Sequence, residues 1–153
     1  ILNGNRPQAT AWVQGSSEAS QLSGLIKFFS TPYGGVLVEA EVFGLPNFNI
    51  QGSSDFYAMH IHETGDCSDD FAKTGPHYNP NKTPHPYHEG DLPSLLGNQG
   101  YAWETFYTKR FEIADVIGRS VVIHDYPDDY FSQPACNSGP KIACGEIRLE
   151  PLS

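Results

Sequence analysis

Basic residues are scarce in this chain: nine lysines and arginines stand against eighteen aspartates and glutamates, a formal net charge of −9. That sign is wrong for a phosphate backbone or an anionic lipid surface, so no nucleic-acid partner is expected. Long apolar runs are missing as well. None approaches the roughly 20 residues that cross a bilayer, so no membrane insertion is expected. Methionine occurs once, at Met59, which leaves no Met-rich metal-donor motif. Nothing reads as a long amphipathic helix, although Phe111–Val116 is ambiguous between helix and strand. The chain begins Ile1-Leu2-Asn3, without a methionine or an apolar leader, which leaves a cleaved signal peptide and a trimmed start both open.

What is present is turn chemistry and short strands. The 153 residues fit one domain, 1–153, and 15 glycines with 12 prolines exceed the usual share of about 12%. Strands are predicted at Ala9–Gln14, Leu22–Ser30, Val36–Phe43, Phe56–His62, Tyr101–Thr108, Arg119–His124 and Ala143–Leu149. The cleanest alternation sets Val36, Val38, Ala40 and Val42 against Leu37, Glu39, Glu41 and Phe43, the pattern of a half-buried antiparallel strand. Nearly forty residues after His62 lack periodicity, and a second long loop runs from Asp125 to Lys141. Loops of that length in a small domain are functional or disordered. The first is rich in Gly, Pro, His and Asp, so something other than a ladder is expected to tie it down. The predicted class is an all-β, antiparallel sandwich or barrel of about eight strands with two long functional loops.

The histidines are concentrated. Five of six fall within His60–Asp91, at His60, His62, His77, His85 and His88, and the sixth is His124. Residues i and i+2 of a strand share a face, so His60 and His62 project together, opposite Tyr57, Met59 and Ile61. If those three face the core, the imidazoles stand on the outer wall. By the same alternation His124 points outward with Val122. With His77 arriving from the loop, four imidazoles make a set suited to Cu(II), which favours square or tetragonal nitrogen coordination. A second set, His77, His85, His88 and Asp91, has the three-imidazole, one-carboxylate composition of a closed tetrahedral zinc site. His77 belongs to both sets, and one deprotonated ring has two nitrogens with which to bridge two metals. His-x-His alone is a weak signal, and the loop histidines alone also fit solvated turn residues. A cupin would need a glutamate four or five residues after the second histidine, where this chain has Asp66 and Cys67. The joint pattern favours metal.

Several segments resemble copper–zinc superoxide dismutases: His60-Ile61-His62-Glu63 with Gly65-Asp66-Cys67, Gly75-Pro76-His77-Tyr78-Asn79-Pro80, His88-Glu89-Gly90-Asp91-Leu92, Ile117-Gly118-Arg119 through His124 with Asp128-Asp129, and Ile142-Ala143-Cys144-Gly145. The resemblance implies a Greek-key fold and disproportionation of superoxide to oxygen and hydrogen peroxide. It implies one copper on His60, His62, His77 and His124, and one zinc on His77, His85, His88 and Asp91. His77 would also carry a proton during turnover, and Asp128 would link a copper-bound to a zinc-bound histidine. Cys67 and Cys144 would form a disulfide, leaving Cys136 as a free thiol or a competing partner. The compressed His85-Pro86-Tyr87-His88 and the ending from Gln133-Pro134 to Cys144 resemble a bacterial branch, cytoplasmic or extracytoplasmic. The family usually has an arginine three residues before its last cysteine; here it is Lys141, which still offers positive charge near copper. A homodimer and a monomer both remain open. The competing reading is a non-enzymatic relative that stores or delivers copper on the same fold. Asn81-Lys82-Thr83 fits a glycosylation sequon but, with Pro84 after it, reads as a turn.

Overall fold

The computed structural model describes residues 6–46, 50–133 and 138–151, so Cys136 lies outside the described residues. Among these, nine strands follow in order: β1 (Ala9–Gly15), β2 (Ser23–Ser30), β3 (Val36–Phe43), β4 (Phe56–Tyr57), β5 (Met59–His62), β6 (Leu95–Leu96), β7 (Ala102–Thr108), β8 (Ser120–His124) and β9 (Lys141–Leu149). One α-helical turn, α1 (Ile113–Val116), resolves the ambiguous stretch before β8. Seven strands make one antiparallel sheet in the order β5-β8-β9-β1-β2-β3-β7, while β4 and β6 pair separately. The expected all-β class is therefore present, with both walls drawn from one continuous, curled sheet. β9 returns beside β1 next to the β1-β2-β3 meander, which is the Greek-key order.

Alternation explains how the sheet closes on a core. In β3 the residues Val36, Val38, Ala40 and Val42 are buried, whereas Leu37, Glu39 and Glu41 are only partly covered. Direct partners across a ladder share a face, so Phe28 opposite Val38 and Ile26 opposite Ala40 extend the same apolar surface. Met59, Ile61, Val121, Ile123 and Ile147 meet it from the rest of the sheet.

The two edges of the sheet are handled differently. On edge strand β7, Ala102, Glu104 and Phe106 oppose the buried Val42, Ala40 and Val38. Trp103 and Tyr107 are left exposed on the outer face. Glu104 is thus an inward-pointing acid. Its Oε1 is buried without a hydrogen-bond partner, and burial pushes its pKa up to about 7. An inward charge on an edge strand disfavours pairing with another edge.

At the other edge, β5 is covered by the long loop that lacks periodicity. Tyr78 N donates to Ile61 O and Ile61 N donates to Gly90 O, both at 2.8 Å; Glu63 N donates to Pro76 O at 2.9 Å. The loop adds bridges at His62–His77 and His60–Asp91. This docking requires Gly90, since a Cβ there would lie 2.3 Å from the Ile61 carbonyl oxygen. The loop, predicted to lack strands, also contributes the two-residue β6, too short to show a period. Cys67 and Cys144 are joined as the resemblance implied, across 77 residues of sequence, tying the loop to β9.

Candidate metal centre

The imidazoles of β5 do point away from the core, as the alternation predicts, yet they are not on an open wall. All four residues of β5 are buried, with His60 at 0% and His62 at 3% exposure. Strand period decides which face of a sheet a residue takes; it does not say what covers that face. Here the docked loop covers it. The same loop sets its Phe71 and Cys67 against Val122 of β8 and Cys144 of β9 in a small apolar cluster.

His124 arrives at the end of β8. A register shift between Ile123 and His124 brings His124 opposite Lys141, the first residue of β9, and such bulges re-aim side chains. His77 is delivered by the loop backbone bridged to His62. The donor atoms of His60, His62, His77 and His124 lie within 4.8 Å of one another, and so do those of His77, His85, His88 and Asp91. The structure brings together both sets predicted from spacing, with His77 common to them.

Hydrogen bonds select which nitrogen each ring offers. His62 Nδ1 donates to Gly75 O at 2.8 Å and His124 Nδ1 to Gly139 O at 3.2 Å. Their Nε2 atoms are left facing each other at 3.3 Å. Two lone pairs aimed at one point suit a cation. His60 Nε2 lies 2.9 Å from Asp128 Oδ2, so Nδ1 is the nitrogen with which that ring would hold an ion in the first set. The other carboxylate oxygen, Asp128 Oδ1, lies 2.7 Å from His85 Nε2. Asp128 therefore spans the two sets, and it is itself fixed by Tyr130 N, which donates to Oδ1 at 2.6 Å.

His77 Nδ1 lies 2.9 Å from Asp91 Oδ1 and 3.2 Å from His88 Nδ1. Asp91 Oδ2 lies 2.9 Å from His85 Nδ1 and 3.3 Å from His88 Nδ1. The other nitrogen of the shared ring, His77 Nε2, is buried with no protein partner. An orphaned buried nitrogen is costly unless an ion or another partner completes it.

The electrostatics favour, for His60, His62, His88 and His124, the neutral state that metals require. Burial lowers His60 to about 4, against the opposing hydrogen bond from Asp128. Burial, with the charge of His60 second, lowers His124 to about 3. Burial also holds His62 well below the ordinary range and lowers His88. Burial pushes Asp91 up, but hydrogen bonding and charge from His77, then His85 and His88, leave it net lowered.

An open cleft of about 890 Å³ reaches His62, His77 and His124 from solvent. Lys141 lines it; its ammonium donates to Thr74 Oγ1 at 2.8 Å and Phe71 O at 3.3 Å, and burial lowers its pKa. Lys82 and Arg119 also line the cleft, a position that neither the turn around Lys82 nor the Ile117-Gly118-Arg119 segment indicated. The guanidinium of Arg119 stacks 4.1 Å from the centre of the Tyr78 ring, beside His77, and Nη1 donates to Glu63 O at 3.0 Å. Three cations around the mouth supply local positive potential on a chain whose net charge is −9.

Residues 22–147 match the family model for copper/zinc superoxide dismutase. The chain belongs to that family. Copper and zinc are the metals of copper/zinc superoxide dismutases, and the two donor sets fit them. The chain is 35% identical over 133 residues to the mouse extracellular superoxide dismutase [Cu-Zn], covering 81% of this chain and 52% of that protein. It is 34% identical over 111 residues to the human protein of the same name, covering 67% and 46%. It thus spans about half the length of these curated relatives. A crystal structure described as the clock protein EA4 superposes with a TM-score of 0.79 at 27% identity, covering 98% of this chain and 99% of that one. The curated relatives named here are mammalian and lend no support to a bacterial origin.

Proposed function

We propose that this protein is a superoxide dismutase whose two metals share the His77 ring. The observation that carries the reading is the placement of that ring, with Nδ1 among His88 and Asp91 and Nε2 buried and unpartnered toward the other imidazoles. Copper would be held by His60, His62, His77 and His124, and zinc by His77, His85, His88 and Asp91. Bound copper supplies one-electron redox chemistry, cycling between Cu(II) and Cu(I), while zinc has no redox chemistry of its own.

The chain's own residues do the remaining work. Lys141 offers superoxide a positive charge at the mouth and orients it by a single donor group, without the two-pronged fork of an arginine. His77 Nε2 holds a proton when it is not bound to metal and gives it to the nascent peroxide. Two superoxide anions and two protons yield one oxygen and one hydrogen peroxide. Asp128 fixes the orientation and proton position of His60 and His85, the role of a carboxylate behind metal-bound histidines. The docked loop keeps bulk water from all but the cleft side. A disulfide fits an oxidising compartment, and the relatives are named extracellular, so we place the protein outside the cytoplasm.

Reconstitution with copper and zinc, metal analysis and a superoxide-decay assay test the reading together. One copper and one zinc per chain with rapid decay is the expected result. Full occupancy without decay would overturn it in favour of a copper-holding protein. His124→Ala should abolish turnover while circular dichroism keeps the β signature, and retained turnover would refute the copper assignment.

A further inference from the structure

The proposed zinc ligands His88 and Asp91 sit on a stretch of loop whose backbone must hold them in register. A recess of about 350 Å³ opens between this stretch and the end of β7, lined among others by Pro86, Asp91, Phe106 and Arg110. It shares no lining residue with the cleft that reaches His62 and His124. Arg110, two residues beyond β7, extends into it. A single nitrogen, Nη1, donates to Pro86 O at 2.8 Å, to His88 O at 3.2 Å and, more weakly, to Asp91 O at 3.4 Å. Three carbonyls converge on one cation, and one of them, His88 O, also accepts from Asp91 N at 3.0 Å. Two of them belong to the ligand residues themselves.

Resting on the zinc assignment above, we propose that Arg110 is a positioning residue for the zinc half of the centre. It presets the turn that presents His88 and Asp91 before the ion arrives and slows their release afterwards. Its root is fixed independently of the loop: the Arg110 backbone N donates to Thr108 Oγ1 at 3.1 Å, next to β7. The clamp therefore couples the zinc loop, docked on β5, to the strand at the far edge of the same sheet.

Two effects of this cation oppose each other. Its charge repels a dication, whereas its hydrogen bonds preorganise the donors. Arg110 is solvent-exposed, so screening weakens the first, while the second depends only on local geometry. Preorganisation wins. Because all three acceptors meet one nitrogen, a lysine ammonium with its three donors is a partial substitute. A methionine of similar length is not.

The test is zinc release from the metal-loaded protein into excess chelator, read for wild type, Arg110→Lys and Arg110→Met, with amide hydrogen exchange over 86–91 in parallel. Arg110→Met should release zinc roughly 10-fold faster or more, within the range for residues that orient metal ligands from behind. It should lose exchange protection over 86–91 while copper retention stays at the wild-type level, and Arg110→Lys should fall between. Equal release rates for all three proteins, or slower release from Arg110→Met, would overturn the clamp. A wild-type protein that takes up no zinc would instead overturn the zinc assignment itself. Faster release that Arg110→Lys does not rescue at all would assign the effect to packing of the side-chain stem and also reject the clamp.

Discussion

Glu104 gives a quantitative test of how the curled sheet is held. Its carboxyl faces inward from β7, opposite Ala40, with Oε1 buried and unpartnered. Burial raises its pKa from 4.5 to about 7. At 1.36 kcal/mol per pH unit that difference sets a ceiling of roughly 3 kcal/mol on the cost of ionising Glu104 in the fold. The side chain keeps some contact with solvent, and screening reduces the expected effect to about 1–2 kcal/mol. The sign follows from linkage. A raised folded-state pKa contributes stability that is fully present below about pH 4.5 and is lost as pH rises through about 7. Glu104→Gln removes the titration and keeps the shape. The gap between variant and wild type should be near zero around pH 4 and reach about 1–2 kcal/mol in favour of Gln near pH 8. Urea unfolding of the metal-free, disulfide-intact proteins measures it, and contributions common to both proteins cancel. By thermal scan, each kcal/mol is about 2–4 °C for a chain of this size. A gap that does not change with pH, or a variant less stable near pH 8, would refute the argument that an ionised acid is being forced inward.

Four further outcomes follow from contacts already described. Gly90→Ala places a Cβ 2.3 Å from Ile61 O; it should cost about 2 kcal/mol or more in urea unfolding and lower metal content after reconstitution. Asp128→Asn cannot accept from both His60 and His85, and chelator competition should show about 10- to 100-fold weaker metal retention. Replacing Cys67 and Cys144 by serine removes a link across 77 residues of sequence, worth at most about 4.5 kcal/mol by chain entropy; unchanged urea stability would reject that account. Lys141→Glu should slow superoxide consumption most at low salt, with the deficit shrinking as the screening length falls from about 30 Å at 0.01 M to about 8 Å at 0.15 M. A deficit constant across salt would remove its steering role.

Much of the centre was legible because its chemistry uses a scarce residue type on a simple period. His60, His62 and His124 could be assigned to one face from alternation alone, and His77 to two sets from spacing. Their burial could not, because it comes from a loop that makes backbone hydrogen bonds without side-chain periodicity. The faces of β7 illustrate another limit. Tyr101, Trp103 and Tyr107 alternate with Ala102, Glu104 and Phe106, and hydrophobicity would turn the aromatic set inward. Register with β3 turns it outward, and tertiary pairing overrides residue preference. The contacts of Arg110 and Arg119 were invisible for a simpler reason. Their acceptors are backbone carbonyls, which every residue has, so no pattern of residue types marks them.

The loop docked on β5 has a consequence for life in concentrated solution. The backbone that delivers His77 and Asp91 also occupies the hydrogen-bonding edge of the strand that carries Met59 and Ile61. Releasing that loop frees a template for cross-chain strand addition at the same moment that it scatters the ligands. With metal on the two proposed sets, its loss and the exposure of that edge would be a single opening event. Metal held on these side chains would then also keep closed the end of the sheet at which β5 lies.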